Sequence, residues 1–411
     1  MRFELFIARR IIRREPRSFS RLIVIIARIA ITLSLSVMII STSMVNGFRN
    51  SISEKVYSFW GHINIAKESL RNSYDDLPVV LEPKFIEDIQ STDGVKHVQV
   101  YARKAGIIKS ATDIEGVIFK GISYDFNWDH FNQYIVSGEP LQISADSTSS
   151  DIMLSRSIAD RMKFKIGDSV ILHFVDQQKD GDYVQRFRKL RVCGIYNTGL
   201  EEFDRMFALM DLKQVQRLNN WQSNQIGGYE VFVNNINNID KIQEVLDTEA
   251  DPFWKVQTIY EIIPGIFDWL NLQKINERII IILMLIVAII NMVTSLLILI
   301  LDRTQMIGIL KSIGATNWSV RKIFLYNASY IIFIGLLFGN ILGLGICFLQ
   351  KEFGIITLPE QSYYVSTVPV AIDWYKITLL NAGTFVVCLI CLLIPSVIIS
   401  RIRPVKAIRF N

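Results

Sequence analysis

The stretch Asp302-Arg-Thr-Gln-Met-Ile-Gly-Ile-Leu-Lys-Ser-Ile-Gly-Ala-Thr-Asn-Trp-Ser-Val-Arg-Lys-Ile-Phe324 is a charged, helix-forming connector between two long apolar runs, and its reading decides the fold. Ile307, Leu310 and Ile313 recur at i, i+3 and i+6, while Arg303, Gln305 and Lys311 fall elsewhere on the wheel. That spacing predicts one apolar stripe on a short amphipathic helix. Gly314 offers a C-terminal cap, and Thr316 or Asn317 an N-cap for the helix that follows. A bare link between two spans needs only a few polar residues, so this connector reads as a contact surface.

Working outward, Ile279–Leu301 precedes the connector and Ile323–Leu349 follows it, with further apolar runs at Leu22–Val45 and Ile377–Ile399. The first run, as a helix, rises about 36 Å, enough to cross a hydrocarbon core of about 30 Å with some tilt. Half of the 411 residues are hydrophobic and the mean hydropathy is positive, outside ordinary soluble composition. The excess sits in these four runs. The fold class is therefore a membrane protein: four transmembrane α-helices, arranged one plus three, with a large α+β domain inserted between the first and second.

Lysine and arginine in the short flanks set the expected orientation. Residues 1–21 carry Arg2, Arg9, Arg10, Arg13, Arg14, Arg17 and Arg21 against Glu4 and Glu15. The connector has Arg303, Lys311, Arg321 and Lys322 against Asp302, and the tail has Arg401, Arg403, Lys406 and Arg409 with no acid. Residues 350–376 hold Lys351 and Lys376 against Glu352, Glu360 and Asp373. Both termini and the connector are thus expected in the cytoplasm. The first run is too long for a signal-peptide core and lacks a small-x-small site, so it reads as a retained anchor. The net charge of +5 needs no nucleic acid, because the basic residues cluster where anionic inner-leaflet lipids lie. Arg28 is near the cytoplasmic end of its run and can snorkel.

The expected segments are a cytoplasmic amphipathic N-terminus (1–21), spans at 22–45, 276–301, 323–349 and 377–400, and an outside domain at 46–275. A coupling segment at 302–322, an outside loop at 350–376 and a cytoplasmic tail at 401–411 complete the chain. Inside the outside domain, His62–Ala66, Val95–Ala102, Ala105–Lys109, Val117–Ile122 and Gly228–Val233 read as strands. Pro83–Gln90, Ile152–Met162, Asp211–Leu218 and Ile239–Asp247 read as helices. Val170–Val175 and Tyr183–Ile195 flank turn-rich Asp176–Asp182 and predict a hairpin. Leu141–Ser150 is Ser-rich and predicts a loop.

The chain lacks a P-loop, a Gly-x-Ser-x-Gly elbow, a His-Glu-x-x-His pair and the kinase set, so neither its own nucleotide site nor a catalytic residue is expected. His62, His97, His130 and His173 never fall at i, i+3 or i+4, and no metal site is expected. Cys193 is alone, while Cys347, Cys388 and Cys391 lie in apolar runs and read as small apolar side chains. Charge is nearly absent from the spans, which argues against an intramembrane ion relay. Asn291, Thr294 and Ser295 are expected to mediate helix packing. Gly335, Gly339 and Gly343 give small residues at i, i+4 and i+8, a packing face, with Gly345 offset from it.

A membrane protein with no fuel site but a structured connector is driven from elsewhere. Met306-Ile-Gly-Ile-Leu-Lys-Ser-Ile-Gly-Ala315 with Ile323-Phe-Leu resembles the signature of the FtsX-like permeases, and the layout resembles their MacB-type branch. Met44-Val-Asn-Gly-Phe48, Gly61-His-Ile-Asn-Ile65, Lys120-Gly-Ile-Ser123, Leu154-Ser-Arg-Ser-Ile-Ala-Asp160 and Leu358-Pro-Glu-Gln-Ser-Tyr-Tyr-Val365 are similar to the LolC/LolE lipoprotein-releasing permeases. So are Gly167-Asp168, Val368-Pro-Val370 and Pro404-Val-Lys-Ala-Ile-Arg409.

The resemblance implies an inner-membrane permease of a Gram-negative bacterium, multi-pass, with residues 276–403 as the FtsX-like domain. It implies two permease subunits, alike or different, on two ABC ATPase subunits that use ATP and magnesium. A lipoprotein would be extracted from the membrane and passed to a periplasmic chaperone. ATPase coupling falls to Met306, Ile307, Leu310, Lys311, Ile313, Gly314 and Ala315. A substrate cavity maps to Met38, Met44, Val45, Phe48, Ile266, Leu270 and Ile275, positions that ordinary span packing explains equally well. A chaperone hairpin maps to Val175, Asp176, Lys179, Tyr183 and Phe187, although it is more polar and charged than the family's. Two alternatives share the framework: an FtsX-like mechanotransmission subunit that regulates periplasmic cell-wall enzymes, and a MacB-like exporter.

Overall fold

The structure is a computed structural model that describes Glu4, Ile7 and residues 19–67, 74–110, 113–177 and 183–401. The N-terminal arginines through Arg17, Lys179 and the Pro404–Arg409 motif lie outside the described residues. In chain order the principal helices are α1 (Phe19–Trp60), α2 (Pro83–Ser91), α3 (Arg156–Met162), α4 (Leu212–Asn219) and α5 (Ile239–Glu249). They continue with α6 (Pro264–Asp302), α7 (Thr304–Ser312), α8 (Asn317–Phe353) and α9 (Trp374–Ser396). The chain divides into two compact units: residues 1–50, 269–357 and 367–411 form a helical unit, and residues 51–268 with 358–366 form an α/β unit.

In the helical unit, α1, α6, α8 and α9 are each long and apolar enough to cross a membrane. Two helices outrun the apolar runs that predicted them. α1 stays helical to Trp60, because Ile52, Val56 and Phe59 recur at i, i+4 and i+7 and are all buried. Gly61, at φ +70°, then ends it. α6 begins at Pro264, whose missing N–H is harmless in a first helical turn.

Small residues set the packing of α1 on α8. A Cβ at Gly335 would lie 2.7 Å from Ile31 Cγ2, one at Gly339 would lie 2.9 Å from Leu35 Cβ, and one at Gly343 would lie 3.1 Å from Ser36 Cα. The partners advance together along both helices, so α1 and α8 run parallel. Thr32 Oγ1 donates to Gly335 O at 3.2 Å and Ser36 Oγ to Gly339 O at 3.0 Å, as close approach permits. α8 and α9 are joined by reciprocal amide bonds, Asn340 Nδ2 to Asn381 Oδ1 at 2.7 Å and Asn381 Nδ2 to Asn340 Oδ1 at 3.0 Å. Of the three polar residues expected in helix packing, Ser295 is buried, while Asn291 and Thr294 bond within their own helix. They donate back to Val287 O and Ile290 O of their own helix, the local bonding that short polar side chains readily make.

The α/β unit is built on a ten-stranded sheet: β1 (Ile63–Lys67), β2 (Val95–Lys109), β3 (Ile114–Ile122), β4 (Ile135–Gly138) and β5 (Asp151–Ser155). The remainder are β6 (Ser169–Gln177), β7 (Tyr183–Tyr196), β8 (Phe207–Asp211), β9 (Gly228–Val233) and β10 (Trp254–Thr258). The order is β10-β1-β9-β2-β3-β8-β5-β7-β4, with β6 pairing both β2 and β7. β3 with β8 and β5 with β7 are parallel, and the other pairs are antiparallel. The core joins inward residues such as Ile65, Val100, Phe119, Leu154 and Val231 to Ile89, Ile158, Val215 and Leu246 of the helices.

Two expectations change here. Ile152–Leu154 is strand, paired to β8 and β7, and the helix expected from Ile152 begins only at Arg156. Ser155 marks the switch: its Oγ accepts from Ile158 N at 3.1 Å, an N-cap that fixes the helix start. The two strands expected at Val95–Ala102 and Ala105–Lys109 are one strand, whose pairing with β3 runs unbroken through Arg103 and Lys104, and Asp76 and Asp75 meet those two cations. The loop at Leu141–Ser150 is irregular as expected, and its backbone carbonyls at Ser144 and Ser147 accept from Lys213 Nζ.

An ion pair lies at the centre of this unit. Lys120 Nζ sits 2.6 Å from Glu230 Oε1, with both side chains at most 1% exposed. Lys120 also donates to Phe59 O, and Gln99 Nε2 donates to Glu230 Oε2 at 2.8 Å. Burial pushes the Lys120 ammonium below the usual lysine range, and Glu230 beside it pushes back. Gly121 next to it serves packing, since a Cβ there would meet Val215 Cγ2 of α4 at 2.7 Å.

Candidate coupling helix and flanking sites

α7 is the short helix that the connector predicts, but its apolar residues do not share one face. Ile307 is fully buried among Leu299, Val320 and Phe324, and Met306, Leu310 and Ala315 pack half-buried against the same core. Ile313 is 79% exposed. The stripe divides for a geometric reason. Six residues at 3.6 per turn advance 600°, which leaves Ile313 about 120° around the helix from Ile307. The helix also ends at Ser312, and Ile313 already departs from helical torsions at its C-cap. The outward face is instead Gln305, Ile309, Ser312 and Ile313, with Trp318 exposed at the start of α8.

The ends of the connector are fixed from both sides. Gly314 takes φ +99°, the left-handed value that turns the chain out of α7. Thr316 Oγ1 accepts from Ser319 N at 3.2 Å and caps α8. Lys311 Nζ donates to Ile399 O at 2.6 Å, and Arg321 donates to Ser400 Oγ, so two cations hold the chain that follows α9. Desolvation lowers the Lys311 ammonium below the usual lysine range, with Arg321 adding to the effect. The arrangement presents Ile309 and Ile313 from a backbone anchored by Ile307, Gly314 and Lys311. Of the predicted coupling residues, only Ile313 and Gly314 face outward; Ile309, which the i, i+3, i+6 count passes over, shares that outward face.

The predicted cavity residues do not share one exposure. Met38 is fully buried in the helical core and Leu270 nearly so, while Ile275 is half exposed. Met44, Val45 and Phe48 are half-buried on α1, and Phe48 stands edge-on to Trp269 with ring centroids 6.4 Å apart. Ile266 is buried in the α/β unit.

The hairpin forms. β6 and β7 pair antiparallel from Ser169 with Arg191 to Gln177 with Tyr183, and Asp176 lies opposite Val184. Alternation turns Val170, Leu172 and Phe174 into the core and leaves Ile171, Val175 and Phe187 about half exposed. The His173 and Phe187 rings meet edge to face at 4.8 Å. Lys109, Arg188 and Lys189 edge an adjacent hollow of about 830 Å³. The hairpin's stem is thus more apolar than its turn composition suggested. Among the described residues no group of three or more His, Cys, Asp or Glu converges as a metal site.

Two other sequence motifs have structural work in the α/β unit. Lys55 Nζ donates to Tyr364 O at 2.7 Å, tying the 358–366 loop down. Asp168 Oδ2 accepts from Lys165 N at 2.8 Å beside Gly167, which turns at φ +89°.

Residues 24–248 match the family model described as the MacB-like periplasmic core domain, and residues 278–404 that of the FtsX-like permease C-terminal region. The chain is similar to the lipoprotein-releasing system transmembrane protein LolC of Haemophilus influenzae, at 24% identity over 96% of this chain and 95% of that protein. LolC of Neisseria meningitidis serogroup B is 23% identical over 99% of each, and LolE of Haemophilus influenzae 20% identical over 92% of each. Among solved structures, the periplasmic region of MacB from Actinobacillus actinomycetemcomitans aligns with 50% of this chain and 91% of that one, at 14% identity and a TM-score of 0.34.

Proposed function

For a chain that belongs to the FtsX-like permeases with a MacB-like periplasmic core, we propose the extraction of outer-membrane-destined lipoproteins from the inner membrane and their transfer to a periplasmic chaperone. Family membership makes it a multi-pass inner-membrane permease of the LolC/LolE type, with no enzymatic activity indicated for the chain itself. One observation carries the finer reading. The likeness to LolC and LolE runs through both units, over nearly the whole chain, rather than through the permease helices alone. A mechanotransmission subunit acting on cell-wall enzymes, or a MacB-like exporter, needs only parts of that likeness.

In this reading the helices span one plus three, with both termini and α7 in the cytoplasm and the α/β unit in the periplasm, as the basic flanks favour. Ile309 and Ile313 dock on a separate ATPase subunit that binds ATP and magnesium. A second permease subunit completes the transporter. The half-exposed Val175 and Phe187 offer the chaperone an apolar hold. Depletion tests the function: newly made lipoproteins should accumulate in the inner membrane, read by pulse-chase fractionation. Arrival at the outer membrane on schedule would sink the extraction reading and favour the regulator.

A further inference from the structure

Three of the four α8 glycines are used by the contact with α1, and Gly345 is not. Nothing lies within 4 Å of a Cβ built on it. Gly345 lines a groove of about 710 Å³ between α1 and α8, walled by Ile29, Leu33, Phe338 and Leu349, all about half exposed. Among the described residues the groove has one charged lining group, Arg28. Arg28 Nε is buried without a hydrogen-bond partner, and the guanidinium carbon stands 5.8 Å from the centroid of the Tyr330 ring. Because Ile31 lies beside Gly335 and Leu35 beside Gly339 on parallel helices, Arg28 marks the Ile334 end of the groove. From Ile334 to Leu349 the helix rises about 22 Å, more than the roughly 15 Å of one leaflet in a hydrocarbon core about 30 Å thick and long enough for an extended acyl chain.

We propose that this groove is a binding site for one anionic glycerophospholipid. The phosphate pairs with Arg28, and an acyl chain lies along the apolar wall over Gly345. An arginine left in apolar surroundings with an unmet donor is costly, and a phosphate supplies the charge-assisted oxygen acceptors that the planar guanidinium fork fits. A zwitterionic head is disfavoured because its ammonium finds no carboxylate among the lining residues. The absent side chain at Gly345 leaves the floor open for the chain, at a point where closer helix packing does not need it.

Native mass spectrometry tests this on the full chain with its partner subunits, released from nanodiscs of equal phosphatidylglycerol and phosphatidylethanolamine. The native protein should retain phosphatidylglycerol about tenfold over phosphatidylethanolamine, because either phosphate can pair with Arg28 but only ethanolamine brings an ammonium that faces the guanidinium with no carboxylate to meet it. Arg28→Gln should abolish the preference and Arg28→Lys restore part of it. Gly345→Phe should lose the lipid with an unchanged thermal unfolding midpoint, since its side chain enters open space. Equal retention of both lipids by the native protein, or undiminished retention in Gly345→Phe, overturns the proposal. Loss of association between copies instead of lipid makes the groove a subunit interface, and stronger retention of a triacylated lipopeptide makes it a cargo site; either result also overturns it.

Discussion

The α/β unit and the helical unit bury polar groups in opposite ways. The α/β unit sequesters a full ion pair, Lys120 with Glu230, and satisfies it further through Gln99 and Phe59 O. The core of the helical unit holds no such pair among the described residues. It uses glycines, serine and threonine bonds to neighbouring backbone, and the Asn340–Asn381 amide pair. The difference follows from the solvent. In water, apolar burial drives collapse at roughly 25 cal/mol per Å², and a well-partnered charge pair can be carried along with it. In hydrocarbon, helices gain little by leaving lipid, so close approach and short hydrogen bonds must hold them together.

The comparison breaks most visibly at Glu230. Glu230→Ala leaves the buried Lys120 ammonium without its counter-charge and should destabilise the α/β unit by about 3–5 kcal/mol. Glu230→Leu combined with Lys120→Met should recover most of that loss, since a packed apolar pair replaces a desolvated one. Thermal midpoints of the single and double variants check both. A single variant that loses less than about 1 kcal/mol would mean the pair is not isolated from water.

Acid sensitivity is the next effect in size and should be confined to the α/β unit. Burial lowers the His62 imidazole to about 4, with His130 and Lys96 adding to it, and the neutral ring accepts from Val233 N at 3.1 Å. The unfolded chain therefore takes up a proton first as pH falls. Stability present above about 6.5 is lost on the way down to about 4, by about 3 kcal/mol at most. Asp125 opposes this: burial raises its carboxyl to about 6, so the folded state binds that proton first and gains stability as pH falls through 6. His62→Gln should remove the acid loss and Asp125→Asn should expose it fully, in unfolding midpoints measured from pH 7 to pH 4.5.

The helical unit should respond to volume instead of charge. Gly339→Leu forces atoms into Leu35 and should cost about 1–3 kcal/mol, seen as a lower midpoint in detergent. The same change at Gly345 should stay within about 0.5 kcal/mol, because the space there is open. Equal effects at the two glycines would remove the argument that α1 selects them.

Much of this was legible in the chain. The four apolar runs, the basic flanks and the i, i+4, i+8 glycines come from periodicities of one element, which a sequence displays directly. Lys120 was visible as part of the Lys120–Ser123 motif and as a charge inside Val117–Ile122, but its partner is 110 residues away, and no local pattern pairs them. Ile152–Leu154 was misread as helix because a short apolar run looks alike in a buried strand and a buried helix, and the parallel pairing that decides it is non-local. The connector was legible as a helical segment, but its outward face was not. Which side of α7 turns inward depends on α8 and on the end of α9, not on the spacing within α7.

That distinction yields the prediction with the smallest effect on stability. Ile313→Asp alters a side chain that is 79% exposed, so folding and membrane insertion should change by less than about 0.5 kcal/mol. Ile307→Asp places a charge in the helical core and should prevent folding of the unit. If α7 receives work from an ATPase, Ile313→Asp should nonetheless release hydrolysis from transport, because a desolvated apolar contact does not tolerate a carboxylate. ATPase rate and lipoprotein release, measured together in proteoliposomes, separate the cases. Coupled activity at the native level would show that the outward face of α7 carries no contact, and would leave the helix as a packing element of its own unit.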